Sequence, residues 1–195
     1  MKATSTMRIW RDTWRHAANL PADRRALAAV EFAFILPVMM VMLFGTVEFS
    51  SAIAIDRKVT LMARTLSDLT SQATTVASSD LTNFFAASTG IMTPYPTTAS
   101  TILNSTITQI YVDSTLAAKV KWSQGSVPLT VGSTLTIPST LAVADTYLIF
   151  SQVSYKYVPT VGYVLAKAGI TMSDSAFTRP RQSKCVAYPD SSSGC

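Results

Sequence analysis

From Ala26 to Val47 the chain reads ALAAVEFAFILPVMMVMLFGTV, 22 residues whose one charge is Glu31. As a helix rising 1.5 Å per residue this segment spans about 33 Å, enough to cross a hydrocarbon core of about 30 Å. It is apolar on every side rather than along one stripe, so a small soluble fold has nowhere to hide it. Arg24 and Arg25 abut its N-terminal edge, and residues 1–25 carry six basic side chains against two acidic ones. The positive-inside rule then places the N-terminus in the cytoplasm and residues 48–195 on the far side. The net charge of +5 would also suit a nucleic-acid partner, but the excess lies directly before the apolar run, so the membrane is the expected partner and nucleic acid is not. Ala52-Ile53-Ala54 offers a rival reading, a signal peptide cut after Ala54. The length of the run, the long leader, and the acids Glu31 and Glu48 that bracket the run argue against it.

The inventory beyond the run excludes most chemistry. Charged residues make up only 14% of the chain, about half the usual share of a soluble globular protein, so an ordinary cytosolic enzyme is a poor fit. The one histidine, His16, sits in the basic leader, and the two cysteines, Cys185 and Cys195, close the sequence. That leaves no material for a His/Cys metal site or a Cys–His nucleophile pair. Tyr163 and Lys167 match the Y-x-x-x-K spacing of short-chain dehydrogenases, but no glycine-rich βα turn accompanies them and the match is read as chance. The distal acids Asp113, Asp145, Asp174 and Asp190 stand apart in sequence, with no evident glycosidase pair. The expectation is a protein without catalytic activity or cofactor.

Glu31 lies one turn inside the apolar run, where a carboxylate costs about 2.5 kcal/mol or more unless it is paired or functional. One reading lets it snorkel to the headgroups beside Arg24 and Arg25. A second comes from its neighbours. The string Arg24-Arg25-Ala26-Leu27-Ala28-Ala29-Val30-Glu31-Phe32-Ala33, then Leu36-Pro37, then Phe44-Gly45-Thr46-Val47-Glu48-Phe49, resembles the TadE-like family of pseudopilins. These are minor components of the tight-adherence (Flp-type) pilus machinery. Val153–Pro159 and Phe177–Arg181 resemble family segments more loosely.

The resemblance implies a type IV pilus assembly protein of the bacterial inner membrane, with a periplasmic head and a possible place in an extracellular pilus. It implies other pseudopilins, pilins and inner-membrane assembly proteins as partners, and processing by prepilin peptidase. The peptidase usually cuts after a glycine five residues before the Glu. That position here is Ala26, so the implied cut falls between Ala26 and Leu27. Glu31 would then neutralise the new amine of Leu27, in its own or a neighbouring subunit, as a subunit-docking residue. The alternatives are the secreted module and a membrane-anchored scaffold that never enters a fibre.

Past the run, Ile55, Val59, Met62, Leu66 and Leu69 recur at spacings of 4, 3, 4 and 3, the stripe of an amphipathic helix. One helix is therefore expected from about Ala26 to Gln72, a plain stalk or coiled coil being the alternative. Pro37 removes a backbone donor and either kinks this helix near Ala33–Pro37 or is tolerated in lipid. A short helix capped by Ser79 or Asp80 follows, and then a loop over Thr89–Ser100. Strands are expected over Ser105–Asp113, Leu116–Ser123 and Asp145–Val158, with a turn at Ser123–Ser126 and short β segments over Val127–Pro138. Thr160–Ile170 is ambiguous between strand and helix. Val120 and Trp122 alternate with Lys119 and Lys121 and are placed on one face.

The expected class is α+β, a long N-terminal transmembrane helix continuing into a pilin-like head with an antiparallel β-sheet. Its parts are a basic cytoplasmic leader (1–25), the transmembrane helix (26–47), its extramembrane continuation (48–72) and a periplasmic β-rich head (73–195). The 49 Ser and Thr residues are assigned to a neutral extracellular β surface rather than a mucin-like stalk. In an oxidising periplasm Cys185 and Cys195 are expected to form a disulfide closing an 11-residue ring, with free thiols or an intermolecular bridge as the alternatives.

Overall fold

The computed structural model describes residues 24–98, 102–159 and 169–188. Most of the basic leader with His16, the segment holding Tyr163 and Lys167, and Cys195 lie outside them. Helix α1 occupies Arg24–Ser71, 48 residues that run through Pro37 without a break. Pro37 and Gly45 are its only strong helix breakers, and it ends at Ser71, just before the β-branched run Thr74-Thr75-Val76. Ser71, its last residue, gives its carbonyl to the Arg181 amide at 2.9 Å, which satisfies one of the orphaned acceptors of a helix end.

The chain divides into two compact units between Val47 and Glu48. In the first, every residue from Leu27 to Val47 is exposed. In the second, the remainder of α1 is followed by α2 (Ser78–Thr89) and five strands: β1 (Leu103–Val112), β2 (Ala118–Gly125), β3 (Thr134–Leu135), β4 (Thr146–Tyr157) and β5 (Ile170–Thr178). The strands form one sheet in the order β3-β2-β1-β4-β5, antiparallel throughout. The protein is α+β, as expected.

The central strands of the sheet, β1 and β4, are buried on both faces. On one face α1 sets Ile55, Val59, Met62, Ala63 and Leu66, all fully buried, against Ile107 of β1, Ile149 and Val153 of β4 and Trp122 of β2. Ser151 Oγ donates to the Ala63 carbonyl at 2.5 Å, and Ser67 Oγ to the Ile149 carbonyl at 3.2 Å, so hydroxyls tie helix and sheet together inside the apolar seam. On the other face Ile110, Val112, Ala118, Leu148 and Phe150 are covered by Leu129, Leu135, Ile137 and Leu141 of the β2–β4 connection. In the β1–β2 turn, Asp113 accepts the Thr115 hydroxyl at 2.6 Å and pairs with Lys119 at 3.0 Å. Those two contacts, in that order, hold the Asp113 carboxyl well below the usual carboxylate range.

The short helix α2 is capped at Ala77 rather than at Ser79 or Asp80, with Asp80 accepting the Ala77 amide at 2.9 Å, and four further local expectations need correction. Leu69 is only half-buried and belongs to an outer groove, because a strict 4, 3, 4, 3 spacing drifts about 20° per heptad against a 3.6-residue helix. Ser67 and Thr70 take its place in the seam, both fully buried. The expected turn at Ser123–Ser126 is later than read: β2 continues to Gly125, where φ is +139° and a Cβ would stand 2.2 Å from the Ser105 carbonyl oxygen. That approach excludes any other residue.

A bulge makes the third difference. Gln109 pairs with Trp122 and its successor Ile110 with Val120, so Lys121 has no partner in the ladder. The extra residue turns Trp122 to the helix side, while Ala118 packs on the opposite face. Finally, Ile170–Thr178 is a full strand, whereas the sequence signalled none there. Its helix-side row, Ile170, Met172, Asp174, Ala176 and Thr178, carries a charge in the middle and lacks the alternation that marks a strand.

The seam generates a discriminating pair of variants. Leu66→Ala is expected to destabilise the head by about 3 kcal/mol, as a fully buried leucine lost from a core, and Leu69→Ala by less than about 1 kcal/mol. Urea unfolding of the detergent-solubilised protein measures both. Equal losses would contradict the drift of the stripe.

Candidate functional site

No cluster of three or more His, Cys, Asp or Glu side chains able to hold a metal ion exists among the described residues. The first component of the candidate site is the amino-terminal half of α1. Leu27, Phe32, Phe34, Val38, Val41, Met42 and Phe49 are each more than half exposed. An apolar surface of that extent in water would be a strong association site. It is also the one helix among the described residues that is long and apolar enough to cross a membrane.

Glu31 is exposed on this surface, with no hydrogen-bond or ion-pair partner among the residues whose side chains are described, from Leu27 onward. Leu27 stands four residues before it, about one turn away. Ala26 lies in the same helix. The three residues singled out in the sequence are therefore brought onto one helical segment, and Cys185 is not among them.

The second unit has its own polar latch, which sequence reasoning missed. The Tyr157 hydroxyl, at the end of β4, donates to the Glu48 carboxylate in α1. Tyr157 is 9% exposed. Burial first, then the hydrogen bond and charge of Glu48, pushes its pKa up to about 12 from the ordinary 10. The alternation of Val153, Tyr155 and Tyr157 correctly puts all three in the helix-side core. Nothing in it could pick an acid 109 residues away. Nearby, Lys58 Nζ donates to the carbonyls of Ile91 and Thr93 at 2.7 and 2.8 Å and ties the loop after α2 to the helix.

The third component is a C-terminal strap. Val76 donates to the Ala187 carbonyl at 2.9 Å and Ala187 to Thr74 at 3.0 Å, a short parallel bridge. Trp122 Nε1 donates to the Val186 carbonyl at 2.9 Å, and the indole stacks on Tyr188 with centroids 5.5 Å apart. Cys185 sits in this strap, 1% exposed.

The described residues thus present one helix long and apolar enough to cross a membrane and a head whose sheet packs on the buried stripe of α1. Residues 27–66 match the family described as TadE-like protein, so the chain carries a TadE-like segment. The match lies wholly within α1. No curated protein and no solved structure gives a match to the chain.

Tyr157 yields a prediction with a definite sign. Its pKa is higher in the folded protein, so the stability it contributes is complete below about pH 10 and is lost as pH rises toward about 12. Tyr157→Phe is expected to lower stability by about 1 kcal/mol at neutral pH and to flatten the loss between those two values. Unfolding midpoints measured across the alkaline range read both effects. A variant with an unchanged alkaline profile would remove the latch from the account.

Proposed function

We propose that the protein is a minor pseudopilin of a tight-adherence type IV pilus assembly system, acting by subunit packing rather than by catalysis. The observation that carries this reading is the coincidence of the TadE-like match, residues 27–66, with the helix whose apolar side chains are exposed on every side to Val47. In this reading residues 1–25 form a cytoplasmic leader, 26–47 cross the inner membrane, 48–72 continue the helix, and 73–195 form a periplasmic head. Pilus-associated subunits and inner-membrane assembly proteins are the partners, and prepilin peptidase cuts between Ala26 and Leu27.

Two features support these finer steps. Glu31 is exposed and unpaired among the residues whose side chains are described, one turn from Leu27, so the amine made by cleavage is a fitting counter-charge within one chain or across staggered chains. Release of a secreted head after Ala54 fits less well. That cut falls immediately before Ile55, which is fully buried, and would remove Glu48 from Tyr157.

N-terminal sequencing of membrane-extracted protein tests the reading directly. A start at Leu27 is expected, and a start at Ile55 would replace the pseudopilin with a secreted domain. Glu31→Ala and Glu31→Gln should then insert normally but co-purify with fewer partner subunits, because the amine loses its counter-charge. Unchanged yields for both would reduce Glu31 to a snorkelling side chain. Surface shearing followed by immunoblotting separates a fibre component from a scaffold that stays at the base.

The Cys185–Cys195 disulfide belongs to the same proposal. No cysteine is free among the described residues, and Cys185 is buried in the strap. An 11-residue ring would contribute about 2.7 kcal/mol at most, local to the C-terminus. Mass spectrometry of exported protein without reduction should find no alkylatable thiol; two would contradict the pairing.

A further inference from the structure

Strand β5 ends the sheet. β4 pairs with it over nine residues, from Ile170 to Thr178, and no described residue pairs with its other side. Exposed edges are normally kept short, charged or covered, because a row of free amides and carbonyls recruits other strands. The opposite edge follows that rule, since β3 has only two residues. β5 does not. It has no Pro or Lys, and its single charge, Asp174, accepts the neighbouring Ser175 amide at 2.7 Å, a local cap that an incoming carbonyl can replace.

Beside the C-terminal half of β5 lies an open groove of about 610 Å³, walled on the other side by Arg64, Thr65, Asp68 and Leu69 of α1. Asp68 is neutralised by Arg181. Arg64 has no hydrogen-bond or ionic partner among the described residues. The groove thus offers main-chain hydrogen bonding along one wall and an uncompensated positive charge on the other.

We infer that this groove receives an extended strand of another protein chain, which adds to the free edge of β5 and sets a carboxylate against Arg64. Strand addition accounts for a nine-residue edge that no described residue pairs with. It takes affinity from main-chain bonds and specificity from alternate side chains. The side chains on the helix side of the added strand are small or hydroxylated next to Thr65 and Ala176 and acidic at Arg64. A second copy of this chain is the poorer occupant. Pairing two β5 strands antiparallel over their full length sets Asp174 against Asp174, and like charges directly opposite are destabilising. The inference needs only the sheet edge and does not depend on the pilus reading.

The test uses the full chain in detergent micelles and a labelled eight-residue peptide alternating Thr and Val, with one central Glu. Saturable binding with a Kd of about 100 μM or tighter is expected, weakened about tenfold by N-methylation of alternate peptide amides. Lys in place of the Glu should weaken binding about tenfold, and Arg64→Glu should reverse that preference. Equal binding of the methylated peptide, indifference to the charge swap, or no saturation below about 1 mM would each overturn the inference. A concentration-dependent dimer in sedimentation that Ser175→Pro abolishes would also overturn it, in favour of self-pairing.

Discussion

The head is organised around the seam where Ile55, Val59, Met62, Ala63 and Leu66 of α1 press on β1 and β4. Everything else in the second unit is fastened to one side of it or the other. β4 is held by Ser151 on Ala63, β5 by the Thr178 hydroxyl on the Ser67 carbonyl at 3.1 Å, and the C-terminal strap through Arg181 on Ser71. The five seam residues are fully buried, so their transfer from water supplies a large share of the head's stability. A sheet covered on both faces needs such an anchor, since strands alone cannot fix which face the helix takes. Within α1 the TadE-like match runs from an exposed leucine, Leu27, to the last buried leucine of that helix, Leu66. The matched segment therefore contains two helical surfaces of different kinds. One is apolar all round and needs hydrocarbon or another helix; the other is apolar on one side and already has its sheet.

How much of this could be read in the sequence depended on the range of the interaction. The apolar run and the stripe are properties of a single helix, and periodicity exposes both. β1, β2 and β4 were found because Val, Ile, Tyr and Trp cluster or alternate within each. What escaped was set by distant partners. Glu48 and Tyr157 are 109 residues apart, and the bulge at Lys121 exists only in relation to β1. β5 escaped because an edge strand beside a groove has no need of a strong alternating pattern, and the charge of Asp174 interrupts its helix-side row. For the candidate site the split is similar. Ala26, Leu27 and Glu31 are legible as a local motif, whereas the latch and the groove at Arg64 required the tertiary structure.

The hydroxyl-rich composition also serves the interior, beside the outer surface the sequence invited. Forty-nine Ser and Thr residues were assigned to a neutral outer surface. Among the described residues nine of the ten buried polar ones are Ser or Thr, Gln109 being the exception. Each hydroxyl brings one donor and can be satisfied by the nearest carbonyl, so it enters a core at little cost where a charge would need a partner. Thr70 returns its hydroxyl to Leu66 at 2.9 Å, Thr108 and Ser123 share a bond of 2.8 Å, and Ser151 reaches Ala63. The scarcity of charge and the abundance of hydroxyls are thus one feature of this head. Its interior is held by short polar bonds among apolar side chains, which leaves few formal charges to decide what its surface meets. Arg64, beside the open edge of β5, is one of those few.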